Sequence, residues 1–364
     1  MKKIAIILYG NIRYDNRVKK EIKTLKKNKF DITLITSEFD CDDKKENYNF
    51  KIIVLKEKRF FNKRIPFVNI FYFNLMSYFL LKKEEYDFIH FNDINVVLFS
   101  KFLKKKSKLI FDLHELFPEA IESKFIKKIF NFIEKVNIKY ADEIIQVEIN
   151  RLNYFQKKYN LEEKKIHLIE NYPLRLNFQN KDYFRKKYNI KNNKKIAIYT
   201  GGISEKREID KIICSIKNIE EIELFCFGNF SSSEYKNEIL SLIENNNLKE
   251  RIHLEKMVQY QELLELTNSA DIAFVFYSNT NLNNYYCASN KLYESLNYGV
   301  KILTNNYPGI KSVTENLPNV YRVENTTIEE LEKGLKYLLN IDDFEKTNFY
   351  WENQEEKFIK IYSK

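Results

Sequence analysis

The chain has 364 residues, of which 44% are hydrophobic and 15% aromatic, and its formal net charge is +10. This apolar content excludes a disordered chain, and a length prior of about 150 residues per domain predicts two domains, each with its own core. The four cysteines have no metal-ligand spacing, and the first apolar run starts too early for a signal peptide, which predicts a cytoplasmic protein.

A β-α-β rhythm predicts mostly parallel sheets in both halves, because short apolar runs alternate with helical patterns. The sequence KKIAI at 2–6 returns at 194–198, and each copy leads to glycine. We expect strands at 3–8, 32–36, 52–55, 87–91, 108–112 and 143–147, then at 195–200, 221–227, 251–254, 271–276, 300–304 and 319–323. The predicted fold class is therefore α/β with two Rossmann-like domains.

The domain boundary is predicted in the polar stretch 173–193, which reads as a linker. The N-terminal domain then covers 1–172 and the C-terminal domain 194–342. The remaining residues, 343–364, predict one helix that packs back on the N-terminal domain.

The net charge lies entirely in the first half. Residues 1–172 contain 35 lysines and arginines against 24 acidic residues, whereas 173–364 contain 26 against 27. An anionic lipid, a diphosphate or a nucleic acid would be attracted to the first half, although a lysine-rich coding bias explains the imbalance equally simply.

Three segments of the first half bear on membranes. Residues 65–81 are apolar but too short and too polar to span a bilayer, so we expect a core helix. Residues 124–135 form a basic amphipathic pattern that fits either an anionic membrane surface or a helix with a solvated lysine face. The basic-aromatic patch at 58–61 supports the first interpretation.

The glycine-containing turns disfavour a dinucleotide-binding fold and a P-loop nucleotidase. Gly10 is followed by Asn11-Ile12-Arg13, and Gly201-Gly202 by Ile203, so neither turn carries the fingerprint of those folds. Arg207 is expected one turn into the first helix of the second domain, where it suits a diphosphate or is simply a surface cation.

A helix from Asn290 to Gly299 carries Lys291 and Glu294 on one face. A lysine near a helix start can neutralise phosphate, and a carboxylate one turn later can accept hydrogen bonds from ribose. An ordinary surface ion pair would have the same spacing. Asp40-Cys41-Asp42 imitates an Asp-x-Asp metal motif, but its acidic neighbours indicate a solvated loop, so no metal is expected.

The pattern Asn290-Lys291-x-x-Glu294-x-x-x-x-Gly299 resembles the donor-site segment of the family 4 (group 1) glycosyltransferases. The second glycine-rich start, 199–203 with Arg207, resembles the phosphate-binding loop of that family. Asp15-x-Arg17-Val18 and the stretch 112–119 resemble motifs of its N-terminal domain. The similarity covers nearly the whole chain and implies a GT-B fold, with two facing Rossmann-like domains that bind acceptor and nucleotide sugar respectively.

The resemblance also implies residue roles. Glu294 would hold the ribose, Lys291 and Arg207 would stabilise the departing diphosphate, and His114 would be the catalytic candidate of the N-terminal domain. The implied donor-binding residues are Gly201, Gly202, Arg207, Met257, Val258, Tyr286, Cys287, Ala288, Asn290, Lys291 and Glu294. The implied acceptor-side residues are Gly10, Asn11, Arg13, His114 and Glu115.

Two departures from the family pattern affect the donor site. Tyr286 stands where relatives often carry a second glutamate, which puts the usual contact to a sugar hydroxyl in doubt. Gly202 stands where many relatives have arginine, so Arg207 is the clearer cation of that loop.

The expected function is therefore a glycosyltransferase that retains anomeric configuration, needs no cofactor and builds a surface polysaccharide or glycolipid. Its expected partners are a nucleotide-diphosphate sugar, a glycan or lipid-linked acceptor and an anionic membrane surface, but no nucleic acid. It would be cytoplasmic and peripheral at the inner face of the cell membrane. The alternatives are a sugar-nucleotide 2-epimerase on the same fold and a basic nucleic-acid-binding protein.

Overall fold

The computed structural model describes residues 1–38, 49–57, 66–178 and 180–363. The chain forms two compact units. Unit 1 comprises Met1–Asn171 with Trp351–Lys364, and unit 2 comprises Tyr172–Tyr350. The Asp40-Cys41-Asp42 sequence and the basic patch at 58–61 lie outside the described residues.

Seven parallel strands form the sheet of unit 1. They are β1 (Lys3–Asn11), β2 (Asp31–Glu38), β3 (Lys51–Val54), β4 (Phe88–Asn92), β5 (Lys108–Leu113), β6 (Glu143–Gln146) and β7 (Ile166–Leu168). Their order is β3-β2-β1-β4-β5-β6-β7. The six predicted strands are confirmed, whereas the short edge strand β7 is not in the prediction. Because the order reverses between β1 and β4, the ligand crevice of this sheet lies at their carboxyl ends.

Helices cover the sheet of unit 1. They are α1 (Asn16–Lys27), α2 (Pro66–Lys83), α3 (Phe117–Ala120), α4 (Lys124–Asn137) and α5 (Ile149–Tyr159), with 3-10 turns at Ile12–Tyr14, Ile94–Val96, Ser100–Phe102, Ile138–Tyr140 and Glu163–Lys165. Asp15 caps α1, because its Oδ1 accepts a hydrogen bond from the Val18 backbone N at 3.0 Å. This cap fixes the helix start just after the 3-10 turn that follows β1.

Helix α2 is only partly the core helix expected at 65–81, because it buries Phe73 and Leu81 together with polar side chains and leaves other aromatic side chains exposed. Asn74 is buried; it donates to the Asn95 carbonyl at 2.8 Å and accepts from the Leu98 backbone N at 3.0 Å. These bonds satisfy a loop that would otherwise be unpaired under the helix. Phe71 and Phe79 are 46% and 48% exposed. Within the described residues, no helix has the length and apolar character to cross a membrane.

Unit 2 repeats the architecture with six parallel strands. They are β8 (Lys195–Thr200), β9 (Ile222–Phe227), β10 (Ile252–Glu255), β11 (Ile272–Val275), β12 (Lys301–Asn305) and β13 (Val320–Val323). Their order is β10-β9-β8-β11-β12-β13. All six predicted strands are confirmed, and with them the α/β class. Here the order reverses between β8 and β11, so the crevice lies at the carboxyl ends of those two strands.

The helices of unit 2 follow its strands. They are α6 (Tyr183–Tyr188), α7 (Ile209–Ile216), α8 (Ser233–Asn245), α9 (Tyr260–Asn268), α10 (Leu282–Tyr285), α11 (Asn290–Tyr298), α12 (Pro308–Thr314) and α13 (Ile328–Leu339), with a 3-10 turn at Glu205–Arg207. The helix predicted from Asn290 is confirmed as α11. It ends where Gly299 takes the left-handed conformation, with φ of 71°.

The stretch 173–193, expected to be a linker, is part of unit 2. It contains α6, and the buried ring of Phe184 lies 4.7 Å from the ring of Phe225 on β9. Tyr188 packs on the same ring at 4.8 Å. Ile190 is buried in the same core, and Phe178 and Tyr183 pack against it, so composition alone misassigned the segment.

The last segment differs from the single helix expected over 343–364. Residues 341–350 carry no helix, and the chain then forms a 3-10 turn at Trp351–Asn353 and a short helix, α14 (Glu355–Lys360). Asn297 explains the break, because its Oδ1 accepts hydrogen bonds from the Phe349 backbone N at 2.9 Å and from Thr347 Oγ1 at 2.8 Å. The Asn297 side chain on α11 thus accepts the hydrogen bond that the Phe349 backbone N–H would donate to a carbonyl oxygen in a continuous helix.

Candidate functional site

Lys291, the predicted phosphate-binding lysine, lies in the crevice of unit 2 at the carboxyl ends of β8 and β11. Lys291 Nζ donates to the carbonyl of Thr200 at 3.3 Å. It also lies 5.4 Å from the centre of the Tyr199 ring and 5.2 Å from that of Tyr277. Burial first, and the neighbouring Arg207 second, lower the pKa of Lys291 to about 7. An anion in this crevice would stabilise the protonated amine.

Arg207 lies in the 3-10 turn before α7 rather than one turn into a helix, which corrects the sequence-based placement. The turn ends at Glu208, whose φ is 59°, and α7 begins only afterwards. The Arg207 guanidinium stands 4.8 Å from the centre of the Tyr277 ring and donates to the Phe276 carbonyl at 2.9 Å. Arg207 and Lys291 therefore contact the same aromatic ring, whose negative face partly offsets the repulsion between them.

The glycine-rich turn after β8 is held close to the neighbouring strand. Gly201 has φ of 124°, a conformation that side chains other than glycine rarely adopt. A Cβ on Gly228, at the end of β9, would lie 1.8 Å from the Gly201 carbonyl oxygen. The Tyr199 hydroxyl donates to the Gly202 carbonyl at 2.7 Å. Among the described residues, and apart from Gly202 and its two chain neighbours, no atom lies within 4 Å of a Cβ built on Gly202, so this position faces open space.

The N-terminus of α11 is suited to an anion. Its N-cap residue Ser289 makes no capping hydrogen bond, so the first backbone N–H groups of the helix keep no side-chain partner there. The buried Oδ1 of Asn290 has no hydrogen-bond partner among the described residues, and as an acceptor it suits a ligand hydroxyl or N–H rather than an anion. The first backbone N–H groups of the helix and the positive end of the helix dipole adjoin Lys291.

Glu294 lies one turn further along α11 and is buried. Its Oε1 accepts a hydrogen bond from the Tyr260 hydroxyl at 2.5 Å. Tyr260 begins α9 and follows the loop that carries Met257 and Val258. Met257 is 46% exposed, whereas Val258 packs against the core. Tyr260 thus connects the loop of Met257 and Val258 to the carboxylate of Glu294.

The segment with the missing family glutamate is fixed by a close approach of backbone. Tyr286, Cys287 and Ala288 connect α10 to α11. A Cβ on Gly309 would lie 2.4 Å from the Tyr286 carbonyl carbon and 2.7 Å from the Cys287 backbone N. Only glycine allows α12 to approach this peptide so closely.

The predicted acceptor-side residues of unit 1 follow β1 and β5. Gly10 and Asn11 end β1, and the Asn11 Oδ1 accepts a hydrogen bond from the exposed Arg13 backbone N at 2.9 Å. His114 and the exposed Glu115 follow β5 directly. They therefore lie at the carboxyl edge of this sheet.

Two predicted N-domain motifs meet in a buried ion pair. Arg17 on α1 donates from Nε to Asp112 Oδ2 at 3.0 Å and from Nη2 to Oδ1 at 3.1 Å. Although burial favours the neutral acid, Arg17 and then His114 hold the pKa of Asp112 well below its ordinary range. The His114 Nε2 lies 3.5 Å from Asp112 Oδ2. The carboxylate of Asp112, held ionised by Arg17, thus places a negative charge beside the ring of His114.

Further ionisable groups surround this pair. Glu21, His90 and Asp112 place possible metal-ligand atoms within 4.8 Å of one another. The guanidinium of Arg17, however, contacts Glu21 Oε1 at 2.9 Å and Asp112 Oδ2 at 2.9 Å, so the cluster already contains its own cation. Burial, followed by the charge of Asp112, raises the pKa of Glu21 well above its ordinary range.

Two sequence profiles of known families match successive parts of the chain. The profile described as Glycosyltransferase Family 4 matches residues 16–172, and the profile described as Glycosyl transferases group 1 matches residues 180–357. The chain is a group 1 glycosyltransferase. No curated protein sequence matches it significantly.

Solved structures resemble this glycosyltransferase over nearly its whole length. Anabaena Alr3699/HepE in complex with UDP and glucose is 13% identical, with a TM-score of 0.74 and coverage of 100% of both chains. WaaG, a glycosyltransferase involved in lipopolysaccharide biosynthesis, is 15% identical, with a TM-score of 0.69 and coverage of 93% of this chain and 90% of WaaG. At these identities the similarity establishes the fold, and the expected GT-B fold is confirmed.

A putative UDP-N-acetylglucosamine 2-epimerase from Listeria monocytogenes has the same fold. It is 11% identical, its TM-score is 0.69, and the match covers 98% of this chain and 94% of the epimerase. The fold therefore does not separate the two activities, whereas the two glycosyltransferase profiles favour transfer.

Three residues of the site were missed by sequence reasoning. Tyr277 stands between the two cations of unit 2, Tyr260 binds Glu294, and Asp93 contacts His114. Tyr277 and Asp93 each lie shortly after a strand at the switch point of a sheet, which is a signal that could have found them. Tyr260 has no such signal, because its contact depends on how α9 packs against α11.

Replacing Gly309 with alanine is expected to lower kcat/KM for the donor by about 10- to 100-fold, since the new Cβ must displace the Tyr286–Cys287 peptide. Steady-state kinetics with purified, folded protein would measure this. Gly334→Ala is the control, because its Cβ would meet the side chains of Leu303 and Tyr321 in the core instead. Both variants should lose stability, but only Gly309→Ala should lose donor affinity. Equal donor affinity in the two would remove the 286–288 segment from the donor site.

Proposed function

We propose that this glycosyltransferase transfers a sugar from a nucleotide-diphosphate sugar to a glycan or lipid-linked acceptor. The observation that carries the proposal is the pair of cations, Lys291 and Arg207, at the switch point of unit 2 beside the uncapped start of α11. A diphosphate needs such a cluster of positive charge, and transfer releases a diphosphate that must be stabilised as it departs.

The donor roles follow from the contacts in unit 2. Lys291 and Arg207 neutralise the diphosphate, and the carboxylate of Glu294, oriented by Tyr260, accepts hydrogen bonds from the ribose. Met257 and Val258 adjoin the base. Gly201 and Gly202 let the backbone approach the phosphates, and the remaining donor contacts come from the segment Tyr286, Cys287, Ala288 and Asn290.

The acceptor roles belong to unit 1. Gly10, Asn11, Arg13 and Glu115 bind the acceptor, and His114 acts near the transferred sugar. The leaving diphosphate departs from the same face that the acceptor attacks, so the anomeric configuration is retained. No metal is required, because the charge that develops on the leaving group is met by Lys291 and Arg207.

The pathway we propose is synthesis of a surface polysaccharide or glycolipid at the inner face of the cell membrane. The complexes of HepE with UDP and glucose, and the involvement of WaaG in lipopolysaccharide biosynthesis, support this assignment by analogy of fold. Such an acceptor would bring a cytoplasmic enzyme to an anionic membrane surface.

Helices α2 and α4 supply a surface for that contact. They lie side by side, with the rings of Phe67 and Phe130 6.3 Å apart. Phe125 and Phe132 on α4 are 74% and 67% exposed, and exposed lysines stand beside them on the same helix. The exposed aromatic side chains favour the lipid interface, and the lysines favour anionic headgroups.

Flotation of the full chain with liposomes tests membrane contact. We expect binding to phosphatidylglycerol vesicles at low salt and weaker binding to phosphatidylcholine vesicles or at high salt. The double change Phe125→Ala and Phe132→Ala should reduce binding, whereas Leu240→Ala, at an exposed apolar position of unit 2, should not. Equal flotation of both variants with the original chain would refute this surface.

The catalytic proposal is tested by incubating the chain with a panel of nucleotide sugars, with and without candidate acceptors. We expect release of nucleoside diphosphate and transfer of the sugar, both lost in Glu294→Ala. Isomerised nucleotide sugar formed without an acceptor would instead identify an epimerase. Absence of donor binding together with normal behaviour of Glu294→Ala would refute the site.

A further inference from the structure

Asp93 has a backbone conformation that usually requires glycine. Its φ is 68° and its ψ is 166°. Other residues with positive φ, such as Asn160 with φ of 49° and ψ of 50°, occupy the ordinary left-handed region that asparagine tolerates. The Asp93 combination is accessible essentially to glycine alone, and such strain persists where the residue has a role that its side chain must fill.

The side chain of Asp93 holds the loop after β5. Its Oδ1 accepts hydrogen bonds from the backbone N of His114 at 2.8 Å and of Glu115 at 3.2 Å. Its Oδ2 lies 3.8 Å from the Nδ1 of His114. The Asp93 backbone N donates to the carbonyl of Asp112 at 2.8 Å, which joins the end of β4 to the end of β5. One residue thus contacts both the main chain and the ring of His114.

The charges around the His114 ring make Asp93 important for its protonation. Although burial lowers it, the charges of Asp112 and Asp93 raise the pKa of His114 above its ordinary value, and Arg17 opposes them. His90, Glu115 and Arg151 are further ionisable groups near these residues, and Arg151 Nη1 on α5 donates a hydrogen bond to the His114 carbonyl. Burial raises the pKa of Asp93 itself to about 6, and His114 counteracts that rise.

We propose that Asp93 is a positioning residue that fixes the ring of His114 and favours its protonated form. The proposal rests on the function proposed above for His114. It explains why a strained backbone carries aspartate: glycine would relax the chain but would leave the two amides without their acceptor and the imidazole without a nearby negative charge.

Three variants test this proposal. Asp93→Gly should change stability little, because relief of the backbone strain offsets the two lost hydrogen bonds, but kcat should fall by about 100-fold with little change in the KM for the donor. Asp93→Asn keeps an acceptor for the amides but loses the charge, so the limb of the pH–rate profile that depends on His114 should move to lower pH. Asn160→Gly, which relaxes a positive φ at the end of α5, should leave both measurements unchanged.

The outcomes separate the proposal from the function on which it rests. If His114→Ala lowers kcat but Asp93→Gly does not, the role of Asp93 is refuted while that of His114 stands. If His114→Ala leaves kcat unchanged, the function proposed for His114 fails and the positioning role fails with it. A strong loss of stability in Asp93→Gly, with an unshifted pH profile in Asp93→Asn, would make Asp93 purely structural and would also refute the proposal.

Discussion

Replacing Lys291 with methionine should lower kcat by about 100- to 1000-fold, the usual cost of removing one group that stabilises transition-state charge. Lys291 Nζ lies at the carboxyl end of β8 and contacts the ring that Arg207 also contacts. Methionine keeps the apolar stem, so the expected loss comes from the charge. Rates of donor hydrolysis and of transfer, measured at saturating donor, would show the effect.

This loss of activity should not be accompanied by a loss of stability. Because burial lowers the pKa of Lys291 to about 7, the folded chain holds fewer protons than the unfolded chain between about pH 7 and the ordinary lysine value of 10.5. Lys291 therefore makes stability rise with pH across that window, and its contribution no longer changes with pH below about 7, where both states carry the proton. In Lys291→Met this dependence should disappear, and stability near pH 7 should be equal or higher.

The same titration should affect the donor. Above pH 7 the amine becomes neutral in the free enzyme, so affinity for a nucleoside diphosphate should fall, and binding should take up a proton. Calorimetry in buffers of different ionisation enthalpy measures that uptake. Lys236→Ala, at an exposed position of α8, is the control and should retain both activity and proton uptake. Normal kcat in Lys291→Met would contradict the proposed diphosphate site.

Removing Arg17 should destabilise unit 1 by about 3–5 kcal/mol, because Arg17→Ala leaves the carboxylate of Asp112 buried without its partner. Both side chains are almost fully inaccessible to solvent, at 2% and 0%. Urea unfolding followed by fluorescence would measure this, since the chain has a single tryptophan, Trp351, which lies in unit 1. The Arg17 guanidinium lies 5.9 Å from the Trp351 ring, so the substitution itself can change the tryptophan fluorescence. Circular dichroism therefore serves as a second, independent measure of the unfolding transition.

The pH dependence of Arg17→Ala has a definite sign. In the original chain the pKa of Asp112 lies below its ordinary value, so the ion pair stabilises the fold above about pH 4 and is lost under more acidic conditions. Without Arg17 the pKa of Asp112 should rise, so the variant should gain stability relative to the original chain as the pH falls from 7. Lys27→Ala, which removes an exposed partner of Glu355, should change stability little. A similarly small effect in Arg17→Ala would contradict a buried ion pair.

The strands were predictable from the sequence because parallel strands buried on both faces are continuous apolar runs. The run that forms β8, for example, is recognisable from Ile196 and Ile198. The glycine that ends α11 and the Lys291–Glu294 spacing were also predictable, because both are patterns within one short stretch of sequence. Even Arg17 and Asp112 could be recognised as belonging to motifs.

What the sequence could not show is how distant segments meet. No local pattern links Arg17 to Asp112, or Tyr277 to two cations, because these contacts form only when the sheets are assembled. Helix α2 was only partly predictable for a related reason. Its apolar composition predicts the burial that Phe73 shows, but not the hydrogen bonds that the loop beneath it receives from Asn74. The linker predicted at 173–193 was wrong because side chains such as Phe184 and Tyr188 pack into the core of unit 2, although most of the segment is polar.

The residues after 350 belong to unit 1, although all of unit 2 precedes them in the chain. Trp351, Phe358 and Tyr362 are fully buried there, and the Tyr362 hydroxyl lies 2.5 Å from the Nδ1 of His90. During translation, unit 1 therefore starts first but is completed after unit 2, because its core needs residues that follow position 350. Unit 2, contiguous in sequence, can be completed earlier.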